Sequence, residues 1–223
     1  MTSLSYKQEH TKRFQDTLDE IQLFVRKGMT IGNVGISDLD EILSIRYSDA
    51  KFFSIIPSED YLKQLGIVRD TRSLLVYDLC RTNQESPLKF DLIIFTEVLE
   101  HMFIEDEIVL QNLYQLLTEG GILLLSVPNA ATLRHRLLLL LGKNIFWSKK
   151  EITQGVYGGY GHIREYTFDE VEALVSKRFG MVHVKGINGY RSGAKIIFNI
   201  LPKTFANTIL VIAQKERMNS QQT

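Results

Sequence analysis

The sequence predicts an α/β chain on a mostly parallel sheet, with helices on both faces. Two observations carry this. The apolar runs Leu92 to Phe95 and Ile122 to Val127 do not alternate apolar with polar residues, which suits strands covered on both sides. Such runs also alternate along the chain with stretches of helical spacing, the order of an open α/β sheet. Between the two runs, Val109, Leu113, Leu116 and Leu117 follow helical spacing, and Gly120-Gly121 is expected to end that helix as a C-terminal glycine does. Residues 90–129 therefore read as one strand–helix–strand unit with a right-handed crossover.

The remaining elements follow in order. Residues 1–27 are polar, with Phe14, Leu18, Ile21, Leu23 and Phe24 at roughly helical spacing, and are expected to form a helix covering the core. Gly28 to Gly35 holds the first strand and its turn. Ser37 is expected to cap a helix with Leu39, Ile42 and Leu43 on its apolar face. Lys51 to Ile56 is a second strand closed by Pro57, Ser58 caps a short helix through Leu65, and Ser73 to Tyr77 is a third strand ending at Asp78. After Asn129, Ala130 to Leu141 reads as helical. Gly142 to Gly161 mixes Phe146, Trp147, Tyr157 and Tyr160 with glycines, which suggests a mobile cover over a pocket. Thr167 and Glu170 form a capping box. Met181 to Ile187 and Thr208 to Ala213 are the closing strands, giving one α/β domain over 28–215, a cover insertion at about 130–165 and a disordered tail at 216–223.

Composition narrows the function. The 223 residues fit one domain with embellishments. Lys plus Arg and Asp plus Glu each total 26, so there is no electrostatic footprint for nucleic acid. Cys80 stands alone, which rules out an internal disulfide, and Cys and His show no metal-ligand spacing. The N-terminus lacks a signal peptide's apolar core, and no apolar run is long enough for a membrane span, so a cytoplasmic protein is expected. The basic, leucine-rich stretch Arg134 to Lys150 admits a membrane-surface reading; burial in a small-molecule pocket or a dimer contact is preferred, which leaves monomer and homodimer both open.

Two segments also resemble a known family. Phe90-Asp91-Leu92-Ile93, then Glu97-Val98-Leu99-Glu100-His101, a helix, Gly-Gly, an apolar strand and Val127-Pro128-Asn129 look like the central segment of class I S-adenosylmethionine-dependent methyltransferases, in their small-molecule branch. His162-Ile163-Arg164-Glu165-Tyr166-Thr167 is similar to the His-x-Arg-x-aromatic-Thr segment of that branch. The resemblance implies a Rossmann-like, seven-stranded sheet. It also implies S-adenosylmethionine as cofactor and methyl transfer to a small-molecule substrate such as a sugar, lipid head group or secondary metabolite.

In open α/β sheets, ligands bind beyond the carboxyl ends of the strands, where strand order switches. Gly32, Asn33 and Gly35 are therefore the expected glycine-turn contacts. Ile56 falls where the family carries an acid for the ribose hydroxyls, and Thr30 where it carries an acid in strand one. Asp78 and Leu79 match the adenine-reading position, and Thr96 and Glu97 border the methionine part of the cofactor. Methyl transfer is an in-line displacement that alignment alone accelerates, and a base is needed only for a weakly nucleophilic acceptor. His101, His162 and Glu97 are the expected catalytic residues, and Tyr160, His162 and Arg164 the expected substrate contacts; Glu100 is a further candidate base or a partner for Arg164. The competing expectation, drawn from Thr30 and Ile56, is a non-catalytic binding or scaffolding protein on the same fold. A nicotinamide-dependent oxidoreductase fits poorly, because no Gly-x-Gly-x-x-Gly turn follows the first strand.

Overall fold

A computed structural model of the chain describes residues 15, 17–36, 38–64, 73–154, 161–187 and 202–217. Its sheet comprises β1 (Thr30–Val34), β2 (Lys51–Ile56), β3 (Ser73–Val76), β4 (Phe90–Thr96), β5 (Leu117–Pro128), β6 (Met181–Ile187) and β7 (Thr208–Gln214). The strand order is β3-β2-β1-β4-β5-β7-β6. β1 to β5 pair in parallel, whereas β7 runs antiparallel to both β5 and β6. The helices are α1 (Asp38–Arg46), α2 (Glu59–Gln64), α3 (Asp106–Leu116), α4 (Leu133–Leu140), α5 (Lys149–Gln154) and α6 (Phe168–Ser176). This is the seven-stranded, mostly parallel arrangement that the alternating pattern predicts.

Side chains of successive strand residues point to opposite faces, and the central strands feed two cores. Ile93, Phe95, Leu123, Leu125, Ile209 and Val211 face α3 and α6, where they meet Val109, Leu113, Leu116, Val171 and Val175. Leu92, Ile94, Leu124 and Leu210 face the other way, onto Leu18 and Ile21 of the helical stretch at 17–21 and onto Leu43 of α1. Burial on both faces explains why β4 and β5 carry no polar alternation. Ile42, expected on the apolar face of α1, is 40% exposed; Leu43 alone of that pair enters the core.

One expectation about the central unit is corrected. Gly120-Gly121 does not cap α3, which ends at Leu116 with Leu117 already paired to Phe90. The next pair is Leu92 with Ile122, so residues 118–121 form a bulge in β5. Gly120 sits there at φ +78° and donates its N–H to the Lys215 carbonyl. A Cβ on Gly121 would lie 2.8 Å from the Thr118 carbonyl oxygen, too close to be accommodated. The glycines thus serve a strand irregularity, a signal that resembles a helix cap when read from sequence.

A second correction concerns the leucine run. α4 is capped by the Thr132 side chain, which accepts from the His135 N–H, yet none of its residues is buried. Leu137, Leu139, Leu140 and Leu141 are exposed, as is Phe146. Burial of these leucines in a pocket of this chain is therefore not observed. No described helix is long and apolar enough to cross a membrane. Ser37, Leu65, Tyr157, Tyr160 and the tail from 218 lie outside the described residues.

Candidate functional site

The strand order reverses between β1 and β4, which is where open α/β sheets take their ligands. β1 leads outward through β2 to β3, while β4 leads the other way to β5. Asn33 pairs with Ile94 and Val34 with Ile55, so the next residue, Gly35, stands level with Thr96 on one side and Ile56 on the other. Gly35 has φ +88°, which favours glycine, and a Cβ there would meet nothing within 4 Å. It is the open point of the turn.

Gly32 is not. It lies in the middle of β1, paired with Phe53 and Ile93. A Cβ on it would come within 2.8 Å of Ile55 Cδ1 and 3.0 Å of the Phe90 ring. Gly32 is a glycine because two core side chains cross over it, not because a ligand approaches. Asn33 is likewise buried within the strand. Ile56 ends β2 wholly buried and offers no hydrogen-bonding side chain at that level.

Asp78 follows β3 as expected, but its carboxylate already has partners. Oδ1 accepts from the Cys80 N–H at 3.0 Å, and Oδ2 lies 3.2 Å from Arg81 Nε. Burial, with Asp78 adding to it, pushes the Cys80 thiol upward. Leu79 is buried, and its carbonyl accepts from Asn112 Nδ2 at 2.8 Å. This corner is fixed by one side chain of α3, Asn112, which also donates to the Arg81 carbonyl at 2.8 Å.

Glu97, just beyond β4, holds φ +56°, a backbone region that costs a non-glycine residue about 1–2 kcal/mol. Ser126 of β5 holds it in place: the Glu97 N–H donates to the Ser126 carbonyl at 2.9 Å, and Ser126 Oγ donates to Glu97 Oε1 at 2.8 Å. Strain clamped by a neighbouring strand at a crevice mouth is a mark of a functional position.

Past Glu97, a 3-10 turn (Leu99–His101) carries Glu100 and His101. The backbone N–H of Ile163 donates to the Glu100 carbonyl at 2.8 Å, which brings the His162–Thr167 segment against this turn. The two resembling segments thus meet in space. The rings of His101 and His162 stand edge to face, 5.0 Å apart. The Glu100 side chain lies fully buried beside them, with Oε1 3.8 Å from His101 Nε2 and 4.0 Å from His162 Nε2. On its other side, His162 Nδ1 lies 3.1 Å from Glu165 Oε1, to which Trp147 Nε1 also donates at 3.3 Å. The Trp147 ring covers His162 at 4.6 Å, and His135 approaches Glu165 Oε2 at 3.7 Å. Burial alone would raise the Glu165 carboxyl, but the hydrogen bond and charge of His162, with Trp147 and His135, outweigh it, and the net effect holds it below the ordinary carboxylate range.

Arg164 does not join this cluster. Its guanidinium donates to Glu170 Oε1 at 3.0 Å, lies 3.9 Å from Asp106 Oδ2 and covers the Tyr166 ring, which ties α6 to the start of α3 on the outer surface. The expected Arg164–Glu100 pairing is replaced by these contacts; only the Arg164 backbone N–H reaches the Glu100 carbonyl, at 3.4 Å. Tyr166 donates its hydroxyl to Asp106 Oδ1 at 2.8 Å, and burial together with that carboxylate pushes the phenol far above its usual range. Tyr160 lies outside the described residues. Glu165, His135 and Ser126 were given no role by the sequence, and Trp147 only a general one in the expected cover. The i, i+3 spacing of His162 and Glu165 was the one local signal that could have paired them.

A family model described as Methyltransferase domain matches residues 9–180. No curated protein matches the chain. Solved structures do. A SAM-dependent methyltransferase from Archaeoglobus fulgidus aligns with TM-score 0.61 at 12% identity, covering 93% of this chain and 94% of that one. The N-methyltransferase NodS from Bradyrhizobium japonicum WM9, in complex with S-adenosyl-L-homocysteine, gives 0.56 at 12%, covering 93% and 87%. Phosphoethanolamine N-methyltransferase 2 of Haemonchus contortus, in complex with S-adenosyl-L-methionine, gives 0.57 at 13%, covering 91% of this chain and 53% of that one. At such identities the likeness speaks for the fold. The family match extends over well more than half of the sequence, and so the chain belongs to the methyltransferase domain family, on the Rossmann-like sheet of its class I members.

Proposed function

We propose that the protein transfers the methyl group of S-adenosylmethionine to a small-molecule acceptor. The observation that carries this reading is the open turn at Gly35, set level with Thr96 and beside the strained Glu97 where the strand order reverses. The adenosyl group would lie beyond Gly35 and Ile56, with its adenine toward Asp78 and Leu79 and its methionine end at Thr96 and Glu97. The sulfonium methyl would then face the turn that carries His101, with His162 behind it. Those imidazoles, with Glu97, are the groups placed to take a proton from the acceptor. Relatives on this fold bind S-adenosylhomocysteine or S-adenosylmethionine, in agreement with that cofactor. The balanced charge of the chain favours a small acceptor over a nucleic acid.

A competing reading, a binding or scaffolding protein that keeps the fold, draws on buried Ile56 and on the Asp78 carboxylate held by Arg81. Hydrogen bonds to a charged group contribute about 1.5–3 kcal/mol, so an apolar residue at the ribose position implies cofactor affinity roughly 10- to 150-fold weaker than an acid would give. Calorimetric titration with S-adenosylhomocysteine separates the readings. Saturable binding, lost when Gly35 is replaced by valine, supports the enzyme. No heat and no thermal shift at millimolar ligand would leave only the scaffold.

A further inference from the structure

We propose that Glu100, His101 and His162 form a binding site for a divalent transition-metal ion, and that when the ion is bound it takes over the activation of the acceptor that the metal-free imidazoles would otherwise supply. One ligand atom from each residue, a carboxylate oxygen and two ring nitrogens, lies within 4.8 Å of the others. The Glu100 to imidazole separations are 3.8 and 4.0 Å. Ligands on a tetrahedral zinc ion at about 2.0–2.2 Å stand roughly 3.3 Å apart, so the ligand atoms must close on one another by about 0.5–1.5 Å, a matter of side-chain rotation.

The surroundings suit a metal. A metal-bound histidine usually gives its other ring N–H to a carboxylate, which fixes the tautomer and the ring plane. His162 has that arrangement: Nδ1 faces Glu165 at 3.1 Å and Nε2 faces Glu100. Glu165 is itself held by Trp147, whose ring also lies over His162 and limits its swing. Glu100 is wholly buried, and placing a carboxylate there is less costly beside a cation. Two nitrogens and one oxygen favour zinc, cobalt, manganese or iron over magnesium or calcium, which prefer oxygen alone. Three protein ligands leave coordination positions open, and an acceptor with oxygen donors, such as a vicinal diol or a hydroxy acid, could fill them.

Neither half of the site is visible as a spacing motif. Glu100 and His101 are adjacent in the chain, and His162 reaches them only because Ile163 docks on the Glu100 carbonyl. The role toward the acceptor rests on the methyltransferase reading; the binding of the ion does not.

The test uses the whole chain, stripped with a chelator and titrated with Zn²⁺ and Co²⁺ by calorimetry and visible absorption. The expected result is one ion per chain, with a Co²⁺ spectrum of low coordination number that Zn²⁺ abolishes. Glu165→Gln should weaken binding about 10- to 100-fold, and His101→Gln or His162→Gln more. His183→Gln, at an exposed histidine on β6, should bind as the wild type does. Circular dichroism establishes that each variant is folded. Unchanged binding in His162→Gln, a preference for Mg²⁺, or no stoichiometric uptake would each overturn the site. Titration with S-adenosylhomocysteine, run separately on the metal-free chain, shows whether the cofactor reading stands regardless of that outcome.

Discussion

Glu165 keeps its proton off because three neighbours favour the charged form more than burial disfavours it. A carboxyl held below its unfolded value contributes stability that is full above about pH 4.3, where an unperturbed glutamate titrates, and is lost as pH falls through the folded value. Glu165→Gln should therefore unfold earlier than the wild type near neutrality, with the gap closing in acid; denaturant midpoints at several pH values measure it, and a gap that widened in acid would refute the account. Two glycines give a second residue-scale contrast. Gly32→Ala drives a methyl into Ile55 and Phe90, and overpacking of this kind costs about 1–3 kcal/mol. Gly35→Ala pays only backbone strain, about 1–2 kcal/mol, but sits where the cofactor is proposed to lie. Urea unfolding beside S-adenosylhomocysteine titration should show Gly32→Ala unstable yet binding per folded molecule, and Gly35→Ala weaker in binding. From the sequence the two glycines were indistinguishable, since nothing local says which lies under a phenylalanine.

At the scale of elements, the clearest local signal was the capping box that begins α6. Thr167 Oγ1 accepts from the Glu170 N–H, and Glu170 Oε2 accepts from the Thr167 N–H at 2.8 Å. Thr167→Ala should cost about 0.5–2 kcal/mol, seen as a lower thermal midpoint. Its effect reaches further than one helix, because Glu170 also holds Arg164, and Arg164 ties α6 to α3. The boundary between α3 and β5 was misread for a physical reason: a glycine with positive φ, here Gly120, serves a helix cap and a strand bulge equally well. For the leucines of α4, the expectation of a pocket within the chain failed for another. Apolar composition predicts burial against something, and among the described residues no surface covers them.

For the whole molecule, strand count and direction were legible because runs buried on both faces leave an unbroken apolar signature. The site was half legible. The ends of β3 and β4 fell where expected, but the contact between Glu100 and His162 arises from docking of distant segments and has no spacing rule. Cofactor binding should also register globally, since a ligand that binds only the folded chain adds about 2.7 kcal/mol at a concentration 100 times its dissociation constant. Thermal scans over rising S-adenosylhomocysteine should show a midpoint that climbs with concentration; a midpoint that stays flat while calorimetry reports heat would place binding outside the folded crevice.

The position of β7 has a consequence for biosynthesis. Among the described strands it comes latest in the chain, yet it lies between β5 and β6, pairing with residues 122–128 of the one and 181–187 of the other. Until residues 208–214 emerge, β5 presents an open edge bearing Leu123, Leu124 and Leu125, and β6 has no neighbour in the sheet. Nascent chains stalled before that point would expose a template for intermolecular strand pairing, which makes premature termination in this region a route to insoluble product and holdase chaperones the natural custodians of the unfinished polypeptide.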